Sequence, residues 1–404
     1  MALLTISAIS ARVPCKKRDS ILASSTKPNR ATRSHITTQK LILMEASTIS
    51  SSAPSTSPSS AKENTYPDPS VWKKLIAEYQ EPSIPRAVWQ LVNTLGPFIA
   101  AWVAIYFSTS LWLTVPLVIL NGLLLIRVFI FTHDCGHGSF FKSKVANDTI
   151  GFITGMLIYT PYFHWRWEHS IHHASSGHLD KRGVGDVWTM TVQEYLESSR
   201  WKRFAYQLSR NPIVLFALAP LGLFIFLHRF ARSNASAREK WSVYWMNFAI
   251  LVQTVAMCAI FGISHYLILQ LSMLLIATSA GVWMFYVQHQ FEGVYWQRSG
   301  EWSYTAAALE GSSYYELPRI LQWFTGNIGF HHIHHLSPRI PNYNLERCHK
   351  AHPLFQEVKP LTILTSLKSL SLRLWDEENG ELIGYRRFRE LRKQMQQRQG
   401  VGQS

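Results

Sequence analysis

Residues 111–137 of this chain read LWLTVPLVILNGLLLIRVFIFTHDCGH. The part at 111–131 is mostly apolar, and its length is close to the ~20 residues that a helix needs to cross a bilayer. It runs directly into a histidine-rich window, His-Asp-Cys-Gly-His at 133–137. The sequence therefore predicts a membrane helix whose end carries histidines to the membrane surface.

Two further windows repeat this clustering of histidines. They read His-Ser-Ile-His-His at 169–173 and His-His-Ile-His-His at 331–335. Within each window the spacing is i, i+4 or i, i+3, i+4, which places imidazoles on one face of a helix. Neutral imidazole is the commonest metal ligand in proteins. Three such windows in so apolar a chain favour a metal site over three solvated helix faces.

The composition is typical of an integral membrane protein. The chain is 47% hydrophobic and only 16% charged, whereas soluble proteins have about 25% charged residues. The net charge is +15, and residues 1–62 carry much of it, with nine Lys or Arg against Asp19 and Glu45. The remainder, near +8, fits basic loops on one side of a membrane better than a nucleic-acid surface, so we expect membrane lipids and no nucleic acid as partners. The four cysteines form no C-x-x-C pair, which argues against a disulfide scaffold or a zinc ribbon.

The N-terminal residues 1–62 differ in composition from the rest. They are rich in Ser, Thr and basic residues, poor in acids, and of low complexity at 51–60. This composition is typical of an organelle transit peptide, and more of a plastid than of a mitochondrial one. A disordered tail is the alternative, and Met44 is a second candidate start. We expect a disordered transit peptide at 1–62 and one membrane domain at 63–404.

Four apolar stretches indicate two membrane hairpins. The stretches at 91–107 and 111–131 are separated by a short turn, and those at 241–263 and 265–287 by another. Histidine windows that share a site must lie on one side of the membrane. An even number of crossings must therefore separate the second window from the third, and the second hairpin provides it.

Two other apolar stretches are not expected to cross. The stretch at 211–230 has basic residues on both flanks and contains Pro212 and Pro220, so we interpret it as interfacial or re-entrant. The stretch at 150–163 is short and should also lie in the interface. The predicted fold is an all-α integral membrane protein with four transmembrane helices in two hairpins, interfacial helices and a cap that carries the histidine-rich site.

The number of histidines favours two metals. Eight candidate ligands come from the windows, and a single zinc site accepts four. His289 is a ninth candidate because it ends the last predicted span on the side of the windows, whereas His332 breaks the helical spacing and is not expected to bind. The eight window ligands are His133, His137, His169, His172, His173, His331, His334 and His335.

The chemistry of these ligands favours iron over zinc. A hydrolytic zinc site needs a general base such as the glutamate of H-E-x-x-H, which this sequence lacks. Soluble di-iron bundles use two Glu-x-x-His motifs, and only one match, at 346–349, is present. Many imidazoles with few carboxylates suit the activation of O2 at two iron ions.

Several polar residues near the windows are candidates for supporting roles. Acids can orient a ligand by accepting its second N–H, although solvation or helix capping explains such residues equally well. Asn327, four residues before His331, is predicted to reach a metal-bound water. The acid candidates are Asp134, Glu168, Asp180 and Asp186.

Several stretches resemble the membrane fatty acid desaturases of the acyl-lipid type, in their plastid and bacterial-like forms. They are HDCGHGSFF, HSIHH and GNIGFHHIHHLSPRIPNYNL, with SSGHLDKRGVGDVWT after the second window and FYVQHQFE before the third. The resemblance covers about residues 70 to 385. It implies a di-iron, O2-dependent enzyme that introduces a cis double bond into the fatty-acyl chain of a lipid. The alternative is a related di-iron lipid or carotenoid hydroxylase or ketolase, because these enzymes share the three windows.

The resemblance also implies an electron donor. The sequence shows neither the His-Pro-Gly-Gly motif of a b-type cytochrome nor a Gly-rich dinucleotide fingerprint, so electrons should come from a separate protein. In a plastid membrane, the location that residues 1–62 favour, the donor would be ferredoxin. In the endoplasmic reticulum membrane, the alternative location, it would be a b-type cytochrome. A non-catalytic metal carrier remains a third hypothesis.

Overall fold

A computed structural model describes residues 69–233 and 235–401. The predicted transit peptide at 1–62 lies outside the described residues, so that segment and the domain boundary after it stay predictions. The α-helices of the described part are α1 (Pro69–Ile76), α2 (Ile84–Phe107), α3 (Leu111–His137), α4 (Lys144–Leu157), α5 (Tyr162–Ser175), α6 (Val192–Glu197), α7 (Arg200–Ser209), α8 (Ala219–Ile225), α9 (Ala237–Phe261), α10 (Ile263–His289), α11 (Tyr304–Leu309), α12 (Arg319–Phe324), α13 (His331–Leu336), α14 (Asn342–Ala351), α15 (Pro353–Gln356), α16 (Ile363–Ser366) and α17 (Tyr385–Val401).

Short elements connect these helices. Single 3₁₀ turns lie at Ala77–Gln80, Leu227–Arg229 and Leu367–Ser371, and a π-helical turn lies at Val214–Leu218. The strands have two or three residues each: β1 (Met190–Thr191), β2 (Tyr314–Glu316), β3 (Pro360–Thr362), β4 (Leu374–Asp376) and β5 (Glu381–Ile383). The parallel pair β1–β4 continues into the antiparallel pair β4–β5, and β2 pairs with β3 in parallel. The sequence pattern did not indicate these small sheets.

Four helices, α2, α3, α9 and α10, are long and apolar enough to cross a membrane. The predicted four spans in two hairpins are therefore confirmed. The third and fourth spans are separated at Gly262, whose φ of 81° is readily adopted only by glycine. Both inner spans are longer than predicted, because α3 continues to His137 and α10 to His289.

The two hairpin turns lie at the same end of the bundle. The rings of Tyr106 and Trp102 in α2 lie 5.5 and 5.1 Å from the ring of Phe261, the last residue of α9. Trp102 also lies 5.9 Å from Tyr266 in α10. The opposite ends of α3 and α10 carry His137 and His289, so the histidines gather at the other end of the bundle.

The inner spans α3 and α10 form the centre of the bundle. A Cβ on Gly122 of α3 would lie 2.8 Å from the side chain of Ile276 in α10, so this glycine permits the close approach of the two helices. The outer spans α2 and α9 expose many large apolar side chains, as helices in contact with lipid do. Apolar surface that would be costly in water therefore surrounds the bundle.

The two stretches that were not expected to cross are bent or short. Helix α7 and the helical segment at 214–229 meet at an angle of 66°, where Asn211 and Pro212 interrupt the helix. The bend fits the predicted re-entrant or interfacial segment. Helix α4 has 14 residues and is too short to span a bilayer. The fold class predicted from the sequence is confirmed, with the small sheets as additional elements.

Candidate metal centre

All nine histidines that the sequence predicts as ligands lie in two groups at the end of the bundle. Within each group, one nitrogen from every imidazole lies within 4.8 Å of the others. The first group contains His133, His137, His169, His173 and His334. The second group contains His172, His289, His331 and His335.

Helical spacing explains how the windows divide between the groups. In α5, His169 and His173 are four residues apart and join the first group, while His172 faces the second. In α13 the arrangement is reversed, because His331 and His335 belong to the second group and His334 to the first. These two helices contribute to both groups, which places two candidate metal positions side by side.

The second group aims nitrogen lone pairs at one another. Nδ1–H of His172 donates to Asp186 at 2.7 Å, and Nδ1–H of His289 donates to the carbonyl of Gly311 at 3.2 Å. The Nε2 atom of each ring therefore carries a lone pair, yet these atoms are only 3.2 Å apart. Nε2 of His331 lies 3.0 Å from Nε2 of His289. Lone pairs at this distance repel unless a cation lies between them.

The Nε2 atoms of the first group have the same spacing. Nε2 of His173 lies 3.1 Å from Nε2 of His169 and 3.0 Å from Nε2 of His334. With metal–imidazole bonds of about 2.1 Å, adjacent ligand nitrogens around one ion lie about 3 Å apart. Both groups thus have the donor type and the spacing of metal sites.

The removal of five imidazoles of α5 and α13 from water keeps them neutral. It lowers their pKa far below the ordinary value of 6.5, and the surrounding imidazoles lower it further. Neutral imidazole is the form that binds metal, so these five side chains are already in their binding form at neutral pH. The residues outside the spans with this lowered pKa are His169, His173, His331, His334 and His335.

Asp134 joins the first window to the segment that follows the third. Its Oδ1 accepts from Nδ1–H of His133 at 2.9 Å. Its Oδ2 accepts from the backbone N–H and the side-chain amide of Asn342 at 2.7 and 2.9 Å. Asp134 is buried, and all its contacts hold ligand-bearing segments in place. Asp134 and Asp186 each contact a candidate ligand, and their orienting role stays a prediction.

The other two predicted acids lie elsewhere. Glu168 lies 3.6 Å from His164, which is outside both groups. Neighbouring positions on a helix face directions about 100° apart, so Glu168 and the next residue, His169, face different ways. Asp180 lies in the loop after α5 and accepts from the backbone and hydroxyl of Ser299 at 2.9 and 2.8 Å. Among the residues that the structure describes, neither acid contacts one of the nine histidines, and the orienting role of both stays a prediction.

Asn327 and His332 are hydrogen-bonded to residues outside the two histidine groups. Asn327 adopts φ 58°, and its amide donates to the carbonyl of Asn342 at 3.4 Å. Its contact with a metal-bound water stays a prediction. His332 lies outside both groups, as its spacing predicts, with Nε2 3.1 Å from His349 and from the carbonyl of Phe355.

Sequence reasoning missed three neighbours of the ligands. The carbonyl of Gly311 accepts from His289, and the ring of Trp165 stacks on His169 with centroids 4.5 Å apart. Asn342 anchors Asp134. No spacing rule identifies a backbone carbonyl or a residue 208 positions away as a partner. Only Trp165 stood at a detectable helical position, four residues before His169.

Nine clustered histidines at the end of two membrane hairpins define a membrane protein with a candidate metal centre. Residues 110–363 match the fatty acid desaturase family. The chain therefore belongs to the fatty acid desaturase family and is an oxidoreductase that acts on a fatty acid. The prediction made from the histidine windows and their flanking stretches is confirmed, and nothing supports the hydroxylase or ketolase alternative.

Individual relatives come from bacteria and a plant. A fatty acid desaturase of Bacillus subtilis is 46% identical over 320 residues, which are 79% of this chain and 91% of the relative. An sn-1 acyl-lipid omega-3 desaturase (ferredoxin) of Synechocystis is 27% identical over 68% of this chain and 77% of the relative. A chloroplastic omega-6 fatty acid desaturase of Spinacia oleracea is 22% identical over 67% and 62%, respectively.

Proposed function

We propose that this protein is an acyl-lipid desaturase that uses two iron ions and O2 to introduce a cis double bond into a fatty-acyl chain. The observation that carries the metal assignment is the set of Nε2 atoms that face one another at 3.0–3.2 Å. Nine imidazoles in two adjacent groups fit a pair of ions better than one. The relative from Synechocystis supports a lipid-linked substrate by its name.

The proposed ligands are the nine histidines of the two groups. When bound, the iron pair supplies the oxidising power with which O2 removes hydrogen from an unactivated methylene. The protein contributes orientation, because the carboxylates of Asp134 and Asp186 and the carbonyl of Gly311 hold imidazole Nδ1–H groups in fixed directions. It also excludes water, since seven of the nine side chains are buried.

The position of the centre suits an acyl substrate. A methylene chain has no polar group near its middle, so its reacting carbons must be positioned by an apolar passage rather than by hydrogen bonds. The two hairpins consist of apolar helices, and the histidines lie at one end of these helices. We propose that the acyl chain reaches the centre from the lipid along these helices while its headgroup stays at the membrane surface.

The same comparison supports the proposed electron donor and compartment. The printed name of the Synechocystis relative includes ferredoxin, and another relative is chloroplastic. Together with the composition of residues 1–62, this supports a plastid membrane with ferredoxin as donor.

Expression of the full chain in yeast with a plastid-type ferredoxin and its reductase tests the proposal. The expected result is a new unsaturated fatty acid in the methyl-ester profile, together with about two iron ions per purified chain. A hydroxylated or ketolated product would replace the desaturase assignment. A well-expressed protein that holds iron but yields no new product would support the metal-carrier hypothesis.

A further inference from the structure

The desaturation proposed above needs electrons from outside the acyl chain. Two hydrogens leave adjacent methylenes, and O2 combines with them, two electrons and two protons from water to form two water molecules. Two carrier molecules must each lose one electron for every double bond. The following inference rests on that proposed function and concerns where the carrier binds.

The exposure of the ligands indicates the direction of approach. Of the nine imidazoles, only His137 and His169 are partly exposed, and both belong to the first group. Every histidine of the second group is buried. A protein that delivers electrons from the aqueous side therefore comes closest to the centre over His137 and His169.

A cleft of about 490 Å³ opens over His137, and we call it the His137 cleft. One wall consists of Gly138, Phe141 and Lys142, which follow α3 directly. The other wall includes Glu81 just before α2 and Arg339 in the segment after α13. Charged walls exclude this cleft as the passage for an acyl chain, whose methylenes would gain nothing by leaving the lipid for it.

Both cations of the cleft can accept a new partner. Lys142 pairs with Glu81 at 2.8 Å, but their side chains are 66% and 71% exposed, and an exposed ion pair contributes little stability. Arg339 is exposed and has no acidic partner among the residues that the structure describes. A carboxylate on a docking protein can therefore replace Glu81 at Lys142 and pair with Arg339.

We propose that the His137 cleft is the docking site of an acidic one-electron carrier protein, whose carboxylates pair with Lys142 and Arg339. Docked in this way, the carrier places its redox group over His137, the accessible edge of the metal centre. Charge complementarity of this kind sets the association rate and the orientation of the partner, and it weakens as salt screens the charges.

A second basic surface provides a matched control. The C-terminal helix α17 carries more cations than the His137 cleft, so net charge alone would favour it as the docking site. Its apolar face packs through Phe388 on Tyr195, in a hydrophobic cluster that contains none of the nine histidines. Arg386 lies on its exposed side and pairs only loosely with Glu390, at 3.6 Å.

The test measures binding of a plant-type [2Fe–2S] ferredoxin to the full chain in lipid nanodiscs by surface plasmon resonance. The double variant Lys142→Glu, Arg339→Glu should bind about tenfold more weakly at low ionic strength, with a shallower dependence on salt. Glu81→Gln should bind roughly threefold more tightly, because Lys142 loses its competing partner. Arg386→Glu should bind like the unchanged protein.

Three results would overturn the proposal: no ferredoxin binding to the unchanged protein, an unaltered affinity of the double variant, or a loss of affinity with Arg386→Glu. Glu81→Gln is a control for misfolding, since a misfolded protein would not gain affinity for ferredoxin. The measurement involves neither fatty acid nor turnover. A failure of the desaturase assignment would therefore appear in the lipid profile, and the binding measurement would still test the docking site.

Discussion

At the scale of single residues, the carboxylates around the centre divide by geometry and not by distance along the sequence. Asp134 and Asp186 each accept from Nδ1–H of a proposed ligand. Asp180, only six positions before Asp186, contacts Ser299 at the surface instead. Which acid supports a ligand was therefore decided by the course of the loop after α5.

This difference leads to a prediction for three single substitutions. Asp134→Asn and Asp186→Asn should each lower iron affinity about 10- to 100-fold, because the ligand imidazole loses a charged acceptor. Asp180→Asn should leave iron affinity unchanged. Competition with a chelator, followed by iron quantification of the purified protein, measures all three. Equal losses in the three variants would show that these acids act on general stability.

The third window offers a matched pair of histidines on one short helix. His334→Gln should reduce the iron content to about one ion per chain and abolish the unsaturated product, because the first group loses a ligand. His332→Gln should retain both iron ions, because His332 contacts His349 and Phe355 instead of either group. Iron analysis and the methyl-ester profile of each variant test this. Loss of iron in His332→Gln would place His332 in the metal centre.

At the scale of elements, helix α3 holds the segment around the third window at three successive levels. Arg127 donates to the carbonyl of Trp323 and lies 4.2 Å from its ring. One turn later Ile130 contacts Gly326, and after a further turn Asp134 binds Asn342. The helix that carries the first window thereby sets the position of the third.

Gly326 tests this second level. It has φ 52°, and a Cβ there would lie 2.7 Å from Ile130, so Gly326→Ala combines backbone strain with overlap. We expect a loss of about 1–3 kcal/mol in stability and a reduced iron content. Thermal unfolding in detergent measures the stability. Gly300→Ala is the control, since nothing lies within 4 Å of that Cβ, and an equal loss there would refute the packing explanation.

At the scale of the whole molecule, two hairpins place all nine proposed ligands at one end of a four-span bundle. This arrangement requires that an even number of crossings separate the second and third windows, as the loop charges predict. It also puts the centre where apolar helices meet the polar cap. In the proposed mechanism, the lipid chain and the electron carrier reach this site from opposite directions.

The proposed plastid location of the whole protein depends on a targeting role for residues 1–62. Fused to a fluorescent protein in plant cells, this segment should direct the reporter to plastids, because its hydroxylated and basic composition is typical of a transit peptide. A fusion that begins at residue 63 should not reach plastids. Fluorescence microscopy decides the matter, and a reporter that stays in the cytosol with residues 1–62 attached would refute the plastid proposal.

The sequence by itself determined the membrane helices and histidine as the type of candidate metal ligand, because both follow from local sequence patterns. Hydropathy over some 20 residues predicts a span, and the spacing i, i+3, i+4 predicts which imidazoles share a helix face. Even His289 was identified from its place at the end of a span. The resemblance to fatty acid desaturases rested on contiguous stretches of the same kind.

Only the tertiary structure decided how the histidines are divided between the two groups and which carboxylates and carbonyls accept hydrogen bonds from them. The division of α5 and α13 between two sites, the carbonyl of Gly311 and the bond from Asn342 to Asp134 all join residues far apart in the chain. Such contacts depend on how helices pack and where loops return. No local pattern encodes them, because their energy is gained only when the bundle has assembled.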